Sequence, residues 1–199
     1  HDLGDLHVAG DAELTLGRLA LVTQELVDAE KVPVFIGGEH TITLGVLRSL
    51  GKNVAVVSFD AHLDLRDDYL GLSLSHTTFM RRIKEDVKPA KILEIGTRAV
   101  TREELDYAKE SGIDYLTASQ IRKDGADKTA ETVRDILEGY KKVYVTIDFD
   151  NVDIALFIKF ISELTGKNFV IDNAVKGKVT IISPTKRSHT IVWPSHSGT

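Results

Sequence analysis

With 199 residues, 42% of them hydrophobic and 28% charged, the chain has the composition of a globular protein of one domain or one and a half. The lack of cysteine excludes disulfides, thiolate metal ligands and a cysteine nucleophile, and no apolar run is long enough for a membrane span. The net charge of −5 argues against nucleic acid as a partner, but it is unevenly spread: six basic against two acidic residues after Asp153 give that stretch +4, leaving −9 on residues 1–153.

The chain starts at His1 without a basic-then-apolar leader. It enters at once into Leu3-Gly4-Asp5-Leu6, which reads like a strand end already under way, so the N-terminus is expected to fall inside a domain. Five β-rich runs follow: Val32–Ile36, Val54–Phe59, Lys91–Ile95, Ile113–Leu116 and Val143–Phe149. Most are continuously apolar, as in strands buried on both faces of a parallel sheet. Beside them lie helical patterns at Asp11–Glu30, Thr41–Leu50, Thr77–Asp86, Thr101–Ser111 and Ala126–Tyr140. In the first of these, Leu14, Leu16, Leu19, Leu21, Val22, Leu26 and Val27 suggest an apolar face. Thr101 reads as an N-cap, with Glu104 at the capping-box position. Alternating elements of this kind predict an α/β fold: three layers, α/β/α, around a mostly parallel sheet.

Past Asp150 the pattern changes. Residues 154–165 read as an apolar helix stopped by Gly166, and Asn168–Asp172 and Lys178–Ser183 as two short strands. The expected domains are 1–153, a small helix–strand–strand unit at 154–185, and a tail at 186–199 that gives no secondary-structure signal.

Three strand ends carry acids and imidazoles: Gly37-Gly38-Glu39-His40, Asp60-Ala61-His62-Leu63-Asp64 and Asp148-Phe149-Asp150. Ligands of open α/β sheets bind outside the carboxyl ends of the strands. Residues two apart in extended chain point the same way, so Asp60, His62 and Asp64 can converge, as can Asp148 and Asp150. A single Asp at a strand end is usually a turn residue, and a His after two glycines a loop residue; it is their joint spacing that points to metal. Oxygen and imidazole donors without thiolate suit Mn²⁺. Six ligands are more than one ion needs, which suggests two ions roughly 3.5 Å apart.

These motifs, with Ser75-His76-Thr77, Ile95-Gly96-Thr97-Arg98 and Thr146–Asp153, resemble the ureohydrolases, the arginase and agmatinase family, over about residues 2–153. The resemblance implies a partial ureohydrolase fold with two Mn²⁺ ions held by His40, Asp60, His62, Asp64, Asp148 and Asp150. It implies hydrolysis of a guanidino substrate to an amine and urea by a metal-bridging hydroxide, with Asp64 in the catalytic centre. His76 matches the family's proton-shuttling histidine, although a helix-start residue would look the same. The stretch Asp64-Leu65-Arg66-Asp67-Asp68-Tyr69 looks more like agmatinases than arginases. Asp67 and Asp68 would favour a cationic tail, or are solvated loop charges. Agmatine is the leading substrate, with guanidinobutyrate and arginine behind it. The same resemblance implies a role in polyamine biosynthesis, a cytoplasmic location and a tendency to homo-oligomers.

Family sequences continue Asp-Pro after the third metal motif, whereas here Ile154 follows Asp153. Val152–Ser183 instead resembles the small N-terminal domain of type II secretion secretins, through Phe160–Asp172 and Val175–Ile181. A chimera joined near Asn151–Ile154 is therefore expected. Three functions stay open: an agmatinase-type enzyme, an inactive metal-binding fragment, and a secretin-like interaction module.

Overall fold

The run Ala55-Val56-Val57-Ser58-Phe59 is the strand on which the fold is built. In a computed structural model of the chain it forms β2 and pairs in parallel on both sides, with β3 (Lys91–Thr97) and β5 (Lys142–Asp148). The structure describes residues 3–8, 10–37, 39–148, 152–153, 178–179 and 188–194, the last three stretches as backbone only. The remaining elements are α1 (Ala12–Asp28), β1 (Val34–Ile36), α2 (Ile42–Leu50), α3 (Phe79–Arg82), α4 (Arg102–Ser111), β4 (Asp114–Thr117), α5 (Ala118–Leu137), β6 (Val152–Asp153), β7 (Lys178–Val179) and β8 (Ser188–Pro194).

The main sheet has the order β1-β8-β5-β2-β3-β4. Its four strands from β5 to β4 are parallel, while β8 lies antiparallel between β5 and β1. Strand alternation divides the core. Val54, Val56, Ile92 and Tyr144 face one way, with Leu16 and Leu19 of α1, Leu44 and Leu47 of α2, Phe79 and Met80 of α3 and Ala108 of α4. Val57, Leu93, Ile95 and Leu116 face the other way, against Ile121, Val133 and Ile136 of α5. The three-layer α/β/α architecture is therefore present, with a parallel sheet flanked by helices.

Local chemistry accounts for the helix boundaries. Asp11 Oδ1 accepts from Leu14 N at 2.8 Å and starts α1. Both bonds of the Thr101–Glu104 capping box form at α4. Thr117 caps α5, which begins eight residues before the expected Ala126 and is broken at Gly125, where φ is 81° and ψ 169°. The expected helix at Thr77–Asp86 shortens to α3 and then widens into a π-helical turn, Ile83–Val87.

Three expectations are corrected. In α1 the buried face is Leu16, Leu19 and Thr23, spaced three and four apart; Leu14 and Leu21 are exposed because they fall on the far side of the turn. Strand β1 is not buried on both faces: Val34 and Ile36 are exposed while Phe35 packs against the core. The stretch 186–199, for which no element was expected, contributes β8 to the main sheet. The expected helix at 154–165 and the strand at Asn168–Asp172 lie outside the described residues. Of the strand expected at Lys178–Ser183, Lys178–Val179 is described, paired antiparallel with Val152–Asp153.

Candidate metal centre

His40 lies in the connection from β1 to α2, Asp60, His62 and Asp64 follow β2, and Asp148 ends β5. The parallel register sets these strand ends side by side, with Ser58 opposite both Glu94 and Thr146. Asp60 and Asp148 come two residues after Ser58 and Thr146, so the alternation carries the same sheet face outward to the site.

His40 is 1% exposed. Its Nδ1 stands 3.1 Å from Asp60 Oδ2 and 3.7 Å from Asp64 Oδ2. His40 Nδ1 and Asp60 Oδ2 are both buried and face each other without a well-aligned hydrogen bond to any group. The other oxygen of Asp60 accepts from His62 N at 2.8 Å and lies 3.1 Å from His62 Nδ1. Ligating atoms of His40, Asp60 and Asp148 all lie within 4.8 Å of one another, a candidate metal-binding group among the described residues. Asp64 borders this group and His62 lies on its outer side, while Asp150 is outside the described residues.

The electrostatics match that geometry. Burial alone would lower the His40 pKa, but Asp60 and Asp64 outweigh it and raise it to about 10. Burial, together with the nearby Asp60 and Asp148, holds the Asp64 carboxyl well above the usual carboxylate range despite the opposing pull of His40. A buried pocket of carboxylates that draws a proton onto its imidazole is one that demands positive charge. Bare donors of oxygen and imidazole type, turned toward one point, fit a divalent ion such as Mn²⁺.

The loop after β2 is fastened to its neighbours. Asp60 N donates to Ile95 O at 3.0 Å, and Ala61 O accepts from Arg98 N and Ala99 N at 2.8 and 2.9 Å. Gly96 has φ 99°, and a Cβ there would stand 3.3 Å from Asp60 O, so the bulge in β3 beside the site calls for glycine.

His76 sits at the rim of an open cleft of about 300 Å³, lined also by Glu39, Tyr69, Leu72 and Leu74. Its Nδ1 is 3.6 Å from Glu39 Oε1, and its ring meets Tyr69 edge-on at 5.7 Å. Asp67 and Asp68 do not line this cleft. Asp67 is paired with Arg82 at 2.6 Å and Arg81 at 3.4 Å, and Asp68 Oδ1 accepts from Gly71 N at 2.9 Å in a tight turn. The Arg82 hydrogen bond, with Arg81 nearby, holds the Asp67 carboxyl below its usual range.

Three residues at the site were not singled out from the sequence. Thr146 Oγ1 lies 3.0 Å from His40 Nε2, Glu39 faces His76, and Glu94 is buried behind Asp60. The available signals were the two-residue spacing of Thr146 from Asp148, the Glu within Gly-Gly-Glu-His, and a charged residue inside an otherwise apolar strand.

Buried acids and an imidazole gather at the carboxyl ends of a parallel α/β sheet, which makes this an α/β protein with a candidate metal site. The chain belongs to the arginase family, whose family model matches residues 1–157. A second match, to the GspD-like N0 domain, covers residues 147–195 and includes β8. Among similar proteins, an agmatinase of Bacillus subtilis is 37% identical over 168 residues, covering 77% of this chain and 55% of the relative. An N(1)-aminopropylagmatine ureohydrolase of Thermococcus kodakarensis is 37% identical over 160 residues, covering 78% and 52%. The crystal structure of the agmatine ureohydrolase of Thermoplasma volcanium superposes with a TM-score of 0.68 at 33% identity, covering 77% of this chain and 52% of that one. The chain thus spans about half the length of the curated relatives it matches. Among the described residues no helix is long and apolar enough to cross a membrane.

Proposed function

We propose that this chain carries the metal centre of an agmatinase-type ureohydrolase, acting in the cytoplasm on a guanidino substrate, with agmatine favoured, to give an amine and urea. The observation that carries the reading is the buried pair His40 Nδ1 and Asp60 Oδ2, 3.1 Å apart without a well-aligned hydrogen bond, with Asp148 in the same cluster. His40, Asp60, His62, Asp64, Asp148 and Asp150 would hold two Mn²⁺ ions. When bound, such ions supply hydroxide near neutral pH by lowering the pKa of water.

The protein's own residues would do the rest. Asp60 sets both imidazoles, through Oδ2 toward His40 and Oδ1 toward His62. His76, half-buried at the cleft, would move protons between the site and water, with Glu39 orienting its Nδ1. The apolar wall of Leu72 and Leu74, with Glu39 as its carboxylate, suits an aliphatic chain bearing a positive charge. Asp67 and Asp68, engaged by Arg82 and Gly71, suit that task less well.

A second reading, a metal-binding fragment without turnover, is favoured by one observation: the arginase match gives way within the chain, and residues 147–195 match the GspD-like N0 domain instead. Titration calorimetry with Mn²⁺, with Asp60→Ala plus Asp148→Ala as control, tests the metal centre. Two ions per chain, lost in the control, are expected. Urea release from agmatine by the loaded protein then separates the two readings: turnover supports the enzyme, and binding without turnover supports the fragment.

A further inference from the structure

Glu104 is 3% exposed, and its Oε2 accepts from Thr101 N at 2.9 Å and Thr101 Oγ1 at 2.8 Å, closing the start of α4. A helix cap needs nothing more. Yet Oε1 reaches away from α4 and accepts from Leu65 N at 3.3 Å, a residue 39 positions earlier. Leu65 is fully buried, so its N–H requires an acceptor inside the protein.

The residue before it is Asp64. Its φ of 52° lies in the left-handed region, which a non-glycine residue adopts only when its surroundings hold it there. Asp64 O accepts from Arg81 N at 3.4 Å on one side of this turn, and the Leu65–Glu104 bond fastens the other. The turn directs the Asp64 carboxylate to within 3.7 Å of His40 Nδ1.

We infer that Glu104 is a positioning residue for the metal centre: by holding Leu65 N–H it fixes the left-handed turn at Asp64 and so aims the Asp64 carboxylate at His40. The inference rests on the metal-centre reading above. It extends that site by about forty residues in sequence, to a side chain that touches no ligand directly.

Two substitutions separate positioning from capping in the full chain. In Glu104→Gln the single amide oxygen can accept from Leu65 N–H or from Thr101 N–H but not from both, and Leu65 exchange shows which bond is kept. In Glu104→Ala both are lost. Mn²⁺ affinity by calorimetry, melting temperature, and amide exchange at Leu65 by NMR are measured for each. Glu104→Ala is expected to weaken Mn²⁺ binding about tenfold or more, the range of lost supporting contacts around metal ligands, and to speed exchange at Leu65. Glu104→Gln is expected to keep Mn²⁺ affinity within about twofold where Leu65 stays protected, and to lose it as Glu104→Ala does where Leu65 exchange speeds.

Affinity that falls in Glu104→Gln as far as in Glu104→Ala while Leu65 stays protected would overturn the inference, leaving Glu104 a helix cap only. Unchanged Leu65 exchange in Glu104→Ala would overturn it equally. Should Glu104→Ala fail to fold, Glu104→Asp, one methylene shorter, takes its place: Mn²⁺ affinity that does not fall as Leu65 exchange speeds overturns the inference. Should the unsubstituted chain bind no Mn²⁺, the metal-centre reading fails by itself, and Leu65 exchange still decides whether Glu104 holds the turn.

Discussion

The imidazole of His40 and the hydroxyl of Thr146, 106 residues apart in the chain, meet at 3.0 Å in the protein interior. Thr146 is fully buried and lies 3.0 Å from Thr43 Oγ1, to which the Tyr144 hydroxyl donates at 3.4 Å. When Thr146 accepts from His40 Nε2–H, the lone pair of Nδ1 is left facing Asp60, which is the tautomer a metal requires. Thr146→Val keeps the side-chain shape and removes the acceptor. It is expected to weaken Mn²⁺ binding about 10–100-fold. It should also cost about 1–3 kcal/mol of stability, for the buried polar groups left behind. Calorimetry and urea denaturation measure the two effects; unchanged affinity would mean that Thr146 does not orient His40.

Gly45 offers a test in which two effects oppose each other. It lies within α2, where replacing glycine by alanine ordinarily gains about 1 kcal/mol of helix propensity. A Cβ at this position would stand 2.9 Å from Leu16 O, and that atom is backbone of α1, which cannot swing aside. Overpacking of this kind typically costs about 1–3 kcal/mol, so the steric effect should win. Gly45→Ala is expected to lower the urea midpoint without changing the slope; a raised midpoint would show that α1 and α2 separate easily.

The metal motifs were legible because they depend on local spacing. Asp60 and Asp64 follow a strand whose burial shows in its composition, and the Thr101–Glu104 cap is a four-residue pattern. What lay hidden depended on partners distant in sequence. Nothing within Asp64–Tyr69 marks Asp67 as the partner of Arg82, fifteen residues on, and the reading of Asp67 and Asp68 as substrate contacts had only their charge to go on. Strand β8 was missed for a related reason: Thr190-Ile191-Val192-Trp193 is a short β-prone run among turn-forming residues, and its pairing with β1 and β5 is a tertiary fact.

Glu94 predicts a pH dependence. Burial first, then the charges of Asp60 and Asp64, push its carboxyl well above its ordinary value of 4.5. The folded protein therefore keeps a proton that the unfolded chain releases above that value. Stability contributed at this position falls as pH rises from 4.5 toward the raised folded value. Glutamine has no proton to lose, so the stability of Glu94→Gln relative to the unsubstituted protein should improve as pH rises from 4.5 toward the raised folded value. Urea denaturation of both proteins across that range, without added metal, measures the difference. Parallel stability curves would show that Glu94 is not held protonated.

Removing β8 tests whether the site depends on a strand that carries none of the expected ligands. Among the described residues β1 pairs with β8 alone, through Val34, Phe35 and Ile36, and β8 ties it to β5 from Lys142 to Asp148. A chain ending at Arg187 keeps every ligand candidate but leaves β1 unpaired and an edge of β5 uncovered. Exposed strand edges recruit other chains, and the β1–α2 connection that carries His40 loses its anchor. Size-exclusion chromatography is expected to show aggregates in place of most of the monomer, and calorimetry of the remaining monomer weaker Mn²⁺ binding. A monomeric protein with unchanged affinity would mean that α2, packed on α1, suffices to hold His40 in place without the sheet.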